Sequence, residues 1–298
     1  MARITLLDGG MGQELLARTG DAPTPLWATQ VMLDHPDVVR AIHADYFAAG
    51  ASVATTNTYA IHHDRLERFG KDHLFEALHL KAVSQAVEAR AAHGSGRIAG
   101  SLGPLVASYR PETCPPVAEA AGKYAEIASL LAPHVDLLLL ETMASVQQAE
   151  GALQGAAVAG LPVWLSVTVD DSDGSRLRSG EPLADLGEII DRYRPDAVLV
   201  NCSVPEAMQT ALAEVARFGC PFGAYANGFT HITEAFKADS PTVDALQART
   251  DLTPERYAGF AMLWVASGAT IVGGCCEVGP AHISALAKAL RTAGHQIT

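Results

Sequence analysis

Short apolar runs rich in β-branched and aliphatic residues recur along the chain, each closed by small or polar residues and followed by an Ala-rich stretch of helical length. Eight runs fit this description: 4–7, 52–56, 97–101, 137–141, 163–169, 197–201, 222–226 and 270–273. The stretches between them carry helix spacing and helix ends. Met208, Leu212 and Val215 share one face after Pro205, and Gly219 follows as a stop. Ile283, Leu286 and Leu290 repeat the pattern after Pro280, with Lys288 and Arg291 near the negative end of that helix. Alternation of this kind demands parallel strands, because each crossover returns the chain before the next strand begins. Eight units predict a closed (β/α)8 TIM barrel; an open doubly wound sheet is the alternative that periodicity alone does not separate from it.

No Pro/Ser-rich linker, charge block or low-complexity tract divides the chain, so residues 1–298 read as a single domain. The length prior alone suggests two domains, but a barrel of about 250 residues is an ordinary exception. With 49% hydrophobic and only 6% aromatic residues, the core must be built from Val, Ile, Leu and Ala. Lys and Arg number 21 against 33 Asp and Glu, a net charge of -12 that leaves no basic surface for nucleic acid or an anionic membrane. No secretory segment opens the sequence and no apolar run approaches the roughly 18 residues of a spanning helix, so a cytoplasmic protein is expected. The sequence is compatible with a homo-oligomer. Five cysteines, an odd number, favour reduced thiols, metal ligation or catalysis over a disulfide framework.

In a barrel, chemistry sits where strands end. The residues there are Asp8-Gly9-Gly10, Asn57-Thr58-Tyr59, Gly103-Pro104, Glu141-Thr142, Asp170, Cys202-Ser203, Asn227-Gly228 and Cys275-Cys276. Cys202 ends the sixth run and Cys275 and Cys276 the eighth, close enough across the mouth to converge on one ion. Adjacent cysteines bridge each other only with distortion, so a metal is the natural reason to place two thiols side by side. Zinc suits three thiolates, and three protein ligands leave a fourth position open, as in catalytic sites. Cys114 and Cys220, away from strand ends, read as small core residues.

Other constellations carry less. His43, His62, His63 and His79 show no ligand spacing and read as core or surface residues. Asp170, Asp171, Asp173 and Gly174 suggest a calcium loop but lack its first and last acidic ligands. Gly10-Met11-Gly12 begins a dinucleotide fingerprint that Leu15 interrupts. Gly-x-Ser-x-Gly is absent. A zinc ion in three thiolates is a poor activator of water but binds an incoming thiol as a nucleophilic thiolate. The implied chemistry is thiol alkylation from a sulfonium or quaternary ammonium donor, whose approach an acidic surface favours.

Asp8-Gly9-Gly10-Met11-Gly12, Thr56-Asn57-Thr58-Tyr59, Gly100-Ser101-Leu102-Gly103-Pro104, Glu141-Thr142, Asn201-Cys202-Ser203 and Gly273-Gly274-Cys275-Cys276 form an ordered set across the chain. The set resembles the homocysteine S-methyltransferase family, which includes betaine- and S-methylmethionine-dependent enzymes and the homocysteine-binding module of methionine synthase. The resemblance implies a zinc-bearing barrel enzyme that methylates homocysteine to methionine. It implies Cys202, Cys275 and Cys276 as Zn2+ ligands, and Asp8 and Glu141 on the substrate ammonium. Gly9 and Gly10 would offer N–H groups to its carboxylate. Thr56 and Asn57 fall with the substrate, and Asn227 matches an Asn that in some relatives approaches the zinc when substrate is absent. Asp8 reads equally as a helix cap, and Asn57 and Tyr59 equally as loop residues.

Two positions depart from the family pattern: Ala226 stands where many relatives carry Pro, and Glu277 where many carry Gly or a basic residue. S-methylmethionine is the first expectation for the donor and betaine the second, with Tyr59, Tyr109 and Trp27 as candidate aromatic contacts for a cation. No length remains for folate- or cobalamin-binding modules. The rival readings are a zinc barrel that binds thiols as a sensor or store without methyl transfer, and an oxidoreductase or phosphate-binding barrel using Gly273 and Gly274.

Overall fold

Each of the eight apolar runs overlaps a strand in the computed structural model, which describes residues 1–298 apart from 23, 25, 27 and 239–241 and the side chains of 36 and 243. The strands are β1 (Arg3–Leu6), β2 (Val53–Thr55), β3 (Arg97–Leu102), β4 (Leu137–Met143), β5 (Val163–Val167), β6 (Ala197–Asn201), β7 (Phe222–Tyr225) and β8 (Ile271–Val272). A further strand, β9 (Gln296–Ile297), follows the last helix. All pairings are parallel, in the order β2-β3-β4-β5-β6-β7-β8-β1-β9, and the sheet curls within one α/β domain.

β1 and β2, which stand apart in that order, touch beyond the end of β1. Leu7 forms a parallel bridge with Val53, the Asp8 N–H donates to the Val53 carbonyl at 3.1 Å, and the Ser52 N–H donates to Leu6 at 2.7 Å. Lower on the same edge of β1, Arg3 faces Gln296 and Ile4 faces Ile297. Thr298 links both sides, its N–H donating to Ile4 at 2.9 Å and its carbonyl accepting from the Ser52 hydroxyl at 2.8 Å. β9 is absent from the expected set because Gln296–Ile297 pairs a polar with an apolar residue and forms no apolar run.

Strand alternation divides the core in two. Leu138 and Leu140 join the large cluster under the helices, while Leu137 and Leu139 join an inner cluster with Val53, Ala99, Trp164, Leu199 and Ile271. Both faces of β4 are thus buried, which explains its unbroken apolar run. Two residues further along the inner face the character changes. Val53 is followed by Thr55, Ala99 by Ser101, Leu139 by Glu141, Trp164 by Ser166 and Leu199 by Asn201. An apolar plug therefore fills the floor and a polar layer lies on it, at the C-terminal ends of the strands.

The helices follow their end signals. Pro280–Thr292 starts at its proline and buries Ile283, Leu286 and Leu290. The other expected helix begins later than Pro205, at Met208, because residues 205–207 form a turn; it runs to Val215, tightens over Ala216–Phe218 and stops at Gly219, whose φ is 71°. No described helix is long and apolar enough to cross a membrane.

Candidate metal and substrate site

Cys202 follows β6, while Cys275 and Cys276 follow β8 in the loop leading to the helix Pro280–Thr292. Their sulfurs converge, all within 4.8 Å of one another. Cys202 Sγ lies 2.7 Å from Cys275 Sγ and 3.9 Å from Cys276 Sγ. The loop of the vicinal pair is fixed by its backbone: Cys275 N–H donates to Ala226 at 3.0 Å, and the Cys276 carbonyl accepts from Gly228 at 2.8 Å. It presses so closely on the β1 turn that a Cβ at Gly9 would stand 2.0 Å from the Val278 carbonyl oxygen, and one at Gly10 2.7 Å from that of Cys275. Glycines are required there for close approach.

The three thiols share their protons unequally. Hydrogen bonds from Cys275 and Cys276 hold Cys202 well below the ordinary thiol range, and the same contacts, with burial, hold Cys275 and Cys276 well above it. Three converging thiols form a donor set that a divalent cation such as zinc completes by displacing their protons. Sulfurs around a tetrahedral zinc stand ~3.8 Å apart, given Zn–S bonds of about 2.3 Å. The Cys202–Cys276 pair matches, and the Cys202–Cys275 pair is shorter by about an ångström.

Beside the sulfurs lies a cavity of about 130 Å³. Asp8 and Glu141 both face it and both are buried. Thr55 donates to Asp8 through its N–H at 2.7 Å and its hydroxyl at 2.9 Å. Glu141 accepts from the Ser101 hydroxyl and, at 3.0 Å, from the Tyr225 hydroxyl. Burial outweighs these bonds and pushes each carboxyl up to about 7, with Glu141 adding like-charge repulsion at Asp8. Among the described residues no Lys, Arg or His lines the cavity. Two desolvated carboxyls and three thiols with no basic side chain make a site for cations.

The mouth is built with strained backbone. Tyr109, Thr142 and Cys202 line the cavity with φ of 61°, 61° and 52°, and Glu277, next to Cys276, has φ 64°. Buried Asn201 holds Thr142 in place, its side-chain oxygen accepting from the Thr142 N–H at 3.0 Å and its amide donating to the Thr142 hydroxyl at 2.9 Å.

The sequence profile of homocysteine S-methyltransferases matches residues 5–290. The chain belongs to the homocysteine S-methyltransferase family. It is 31% identical to the Homocysteine S-methyltransferase of Escherichia coli (strain K12), over 95% of this chain and 94% of that protein. Homocysteine S-methyltransferase 4 of Zea mays is 30% identical, over 97% of this chain and 90% of its own. The crystal structure of the homocysteine methyltransferase MmuM from Escherichia coli in its metallated form superposes with a TM-score of 0.80 at 27% identity, covering 96% of each chain. As a member of the homocysteine S-methyltransferase family the chain is a methyltransferase.

Several residues singled out in the family's motifs are already engaged in the fold. The Gly10 N–H donates to the Val278 carbonyl at 3.0 Å, so it is committed to holding the cysteine loop rather than offered to a ligand. The Thr56 hydroxyl bonds to the Thr58 hydroxyl at 2.7 Å and accepts from the Ser101 N–H at 3.0 Å; Asn57 lines the cavity and donates to Ala28 at 3.2 Å. Asn227 is buried, accepts from the Phe229 N–H at 3.1 Å, and is not among the residues lining the cavity. Tyr59 and Tyr109 line it, whereas Trp27 lies outside the described residues. Cys114 and Cys220 are half-buried and apart from the triad. His43, His62 and His79 are buried, and none of the named histidines lines the cavity.

Thr55, Ser101 and Tyr225 form the support of the two carboxyls; Ser101 falls within one of the family's motifs, and for Thr55 the inner-face spacing, two residues beyond Val53, is a signal the sequence offers. Arg178 and Asp171, which meet beneath Cys202, carried no such signal; the incomplete calcium motif around Asp171 drew attention elsewhere.

Proposed function

We propose that the chain transfers a methyl group from a small cationic donor to the sulfur of homocysteine, giving methionine, with Zn2+ held by Cys202, Cys275 and Cys276. One observation carries this reading: three converging thiols and two buried carboxyls border one cavity that, among the described residues, no basic side chain lines. Bound zinc supplies a positive centre that favours the substrate thiolate while the sulfur-rich shell keeps it nucleophilic.

The chain's own residues provide the rest. Asp8 and Glu141 hold the ammonium, with Thr55, Ser101 and Tyr225 fixing their orientation. This anchors the amino acid at one end so that its thiol reaches the cysteines at the other. The homocysteine thiol loses its proton to solvent, its sulfur pair forms the new S–CH3 bond, and the donor's C–S or C–N pair stays on the departing group. From S-methylmethionine that group is a second methionine; from betaine it is dimethylglycine. S-methylmethionine is the first choice and betaine the second, and the rings of Tyr59 and Tyr109 offer faces to either cation. We read residues 1–298 as one homocysteine-binding domain and the sheet as a closed (β/α)8 barrel, with the Leu7–Val53 bridge as support for closure.

The test is metal content and turnover together. Purified protein is expected to hold about one zinc per chain and to convert homocysteine with one of the two donors assayed in parallel. Cys275→Ala is expected to lose both metal and turnover. A metal-free variant with full turnover overturns the mechanism, and a zinc-loaded wild type that binds homocysteine yet consumes neither donor overturns the choice of donors.

A further inference from the structure

The side chain of Arg178 is only 7% exposed, an unusual burial for a cation, and four acceptors surround it. Its Nε donates to the Thr168 hydroxyl at 2.9 Å, Nη1 and Nη2 to Asp171 at 3.2 and 2.9 Å, and Nη2 also to the carbonyl of Cys202 at 3.2 Å. Its guanidinium carbon lies 5.1 Å from the centroid of the Tyr109 ring, over its face. Asp171 extends the set, accepting from the Val204 N–H at 3.0 Å and the Ile232 N–H at 3.2 Å. The loops after β5, β6 and β7 are thereby tied at one point.

What that point holds is the Cys202 backbone. Cys202 has φ 52°, a left-handed conformation that a β-carbon makes costly and that persists only when its surroundings enforce it. The carbonyl turned out by that conformation receives Arg178 Nη2 and, at 3.3 Å, the Thr168 hydroxyl. Tyr109, which the guanidinium covers, packs in the same apolar cluster as Cys202. A lysine has one ammonium in place of a planar fork and cannot reach these acceptors together.

We propose that Arg178 is the positioning residue of the sulfur site: by holding the Cys202 carbonyl it fixes the direction in which Cys202 Sγ meets Cys275 and Cys276. The inference rests on the reading of the three cysteines as metal ligands. Asp171 is the counter-charge of the guanidinium, and the contribution proposed is the fixed geometry.

The experiment measures metal affinity of the folded chain, with zinc in competition with a coloured chelator and cobalt(II) through its sulfur-to-metal absorption. R178M is expected to bind zinc at least tenfold more weakly, with an altered cobalt band; R178K is expected to fall between it and the wild type. A role confined to fold stability lowers the melting temperature and leaves the affinity and band of the folded protein as they were. A folded R178M with wild-type affinity and band overturns the proposal. Should R178M fail to fold, R178K decides it: several-fold weaker binding supports the proposal, and unchanged binding overturns it. A wild-type chain that takes up neither ion overturns the ligand reading itself, and this inference with it.

Discussion

Thr55 grips both oxygens of Asp8, one through its backbone N–H at 2.7 Å and one through its hydroxyl at 2.9 Å. Two neutral donors orient a buried carboxyl without neutralising it, and the carboxyl is pushed up to about 7. Thr55 belongs to β2 and Asp8 follows β1, so the grip also ties β2 to the turn after β1.

Ligand binding should therefore depend on pH in a definite direction. Below about 7 the free site holds protons on Asp8 and Glu141, and an ammonium must displace them. Affinity is expected to fall as pH drops below 7, towards a limit of about tenfold per unit for each carboxyl. Methionine, which carries the same amino-acid end but no titrating thiol, isolates the effect in calorimetry. Asp8→Asn should remove one proton from the balance. The free protein shows the opposite sign: a carboxyl raised from 3.8 to about 7 costs stability progressively as pH rises through that window and no more above it. Methionine affinity that is flat between pH 5 and 8 would contradict the assignment.

Glu141→Gln should separate binding from stability. The two hydroxyls that now donate to Glu141, from Ser101 and Tyr225, can rotate to suit an amide, and the cost of burying a charge disappears. The free protein is expected to melt no lower than the wild type. The KM for homocysteine is expected to rise ~30-fold, from the loss of ~2 kcal/mol of a buried charge pair. A lower melting temperature with an unchanged KM would assign Glu141 to the fold alone.

The parts legible in the sequence are those with a repeat or a dense local signal. Continuous apolar runs marked eight strands because β4 and its neighbours are buried on both faces, and a cysteine pair after two glycines marked a strand end facing another cysteine. β9, a polar and an apolar residue, makes no apolar run, unlike the equally short β8, and Pro205 marked a turn before the helix. Of the carboxyl supports, Ser101 falls within a motif of the family, whereas Thr55 and Tyr225 lie inside their strands on the inner face, ahead of the strand-end positions where chemistry is expected. Arg178 and Asp171 meet through a loop excursion with no fixed spacing, so only the folded chain brings them to Cys202.

Gly9→Ala should damage the metal site through the backbone alone. Its Cβ would stand 2.0 Å from the Val278 carbonyl oxygen and 2.9 Å from the Tyr46 ring, so the loop carrying Cys275 and Cys276 must move. A loss of ~1–3 kcal/mol in unfolding free energy is expected, the range for overpacking, together with weaker zinc binding. Gly12→Ala is the matched control. It is the second residue of the helix Met11–Thr19, at the edge of the cavity, with nothing within 4 Å of a Cβ, so its stability should change by less than ~0.5 kcal/mol and its zinc binding should stay as in the wild type. Chemical denaturation with metal titration distinguishes the two.

The departure at Ala226 has a structural partner. Its N–H donates to the hydroxyl oxygen of buried Tyr257 at 3.1 Å, and that hydroxyl in turn reaches the Gly273 carbonyl at 2.6 Å, joining β7 to the glycines before the cysteine pair. Proline has no N–H to give. In Ala226→Pro the lost buried hydrogen bond outweighs what a stiffer unfolded chain returns, so the single change should destabilise by about 1 kcal/mol. The informative quantity is its coupling to Tyr257→Phe. In the wild type that change strands a buried N–H; in the Ala226→Pro background no N–H remains to be stranded. Tyr257→Phe should therefore cost ~1 kcal/mol less in the double variant than the two single effects predict. Additive effects in urea unfolding would show that the Ala226 N–H draws no stability from Tyr257.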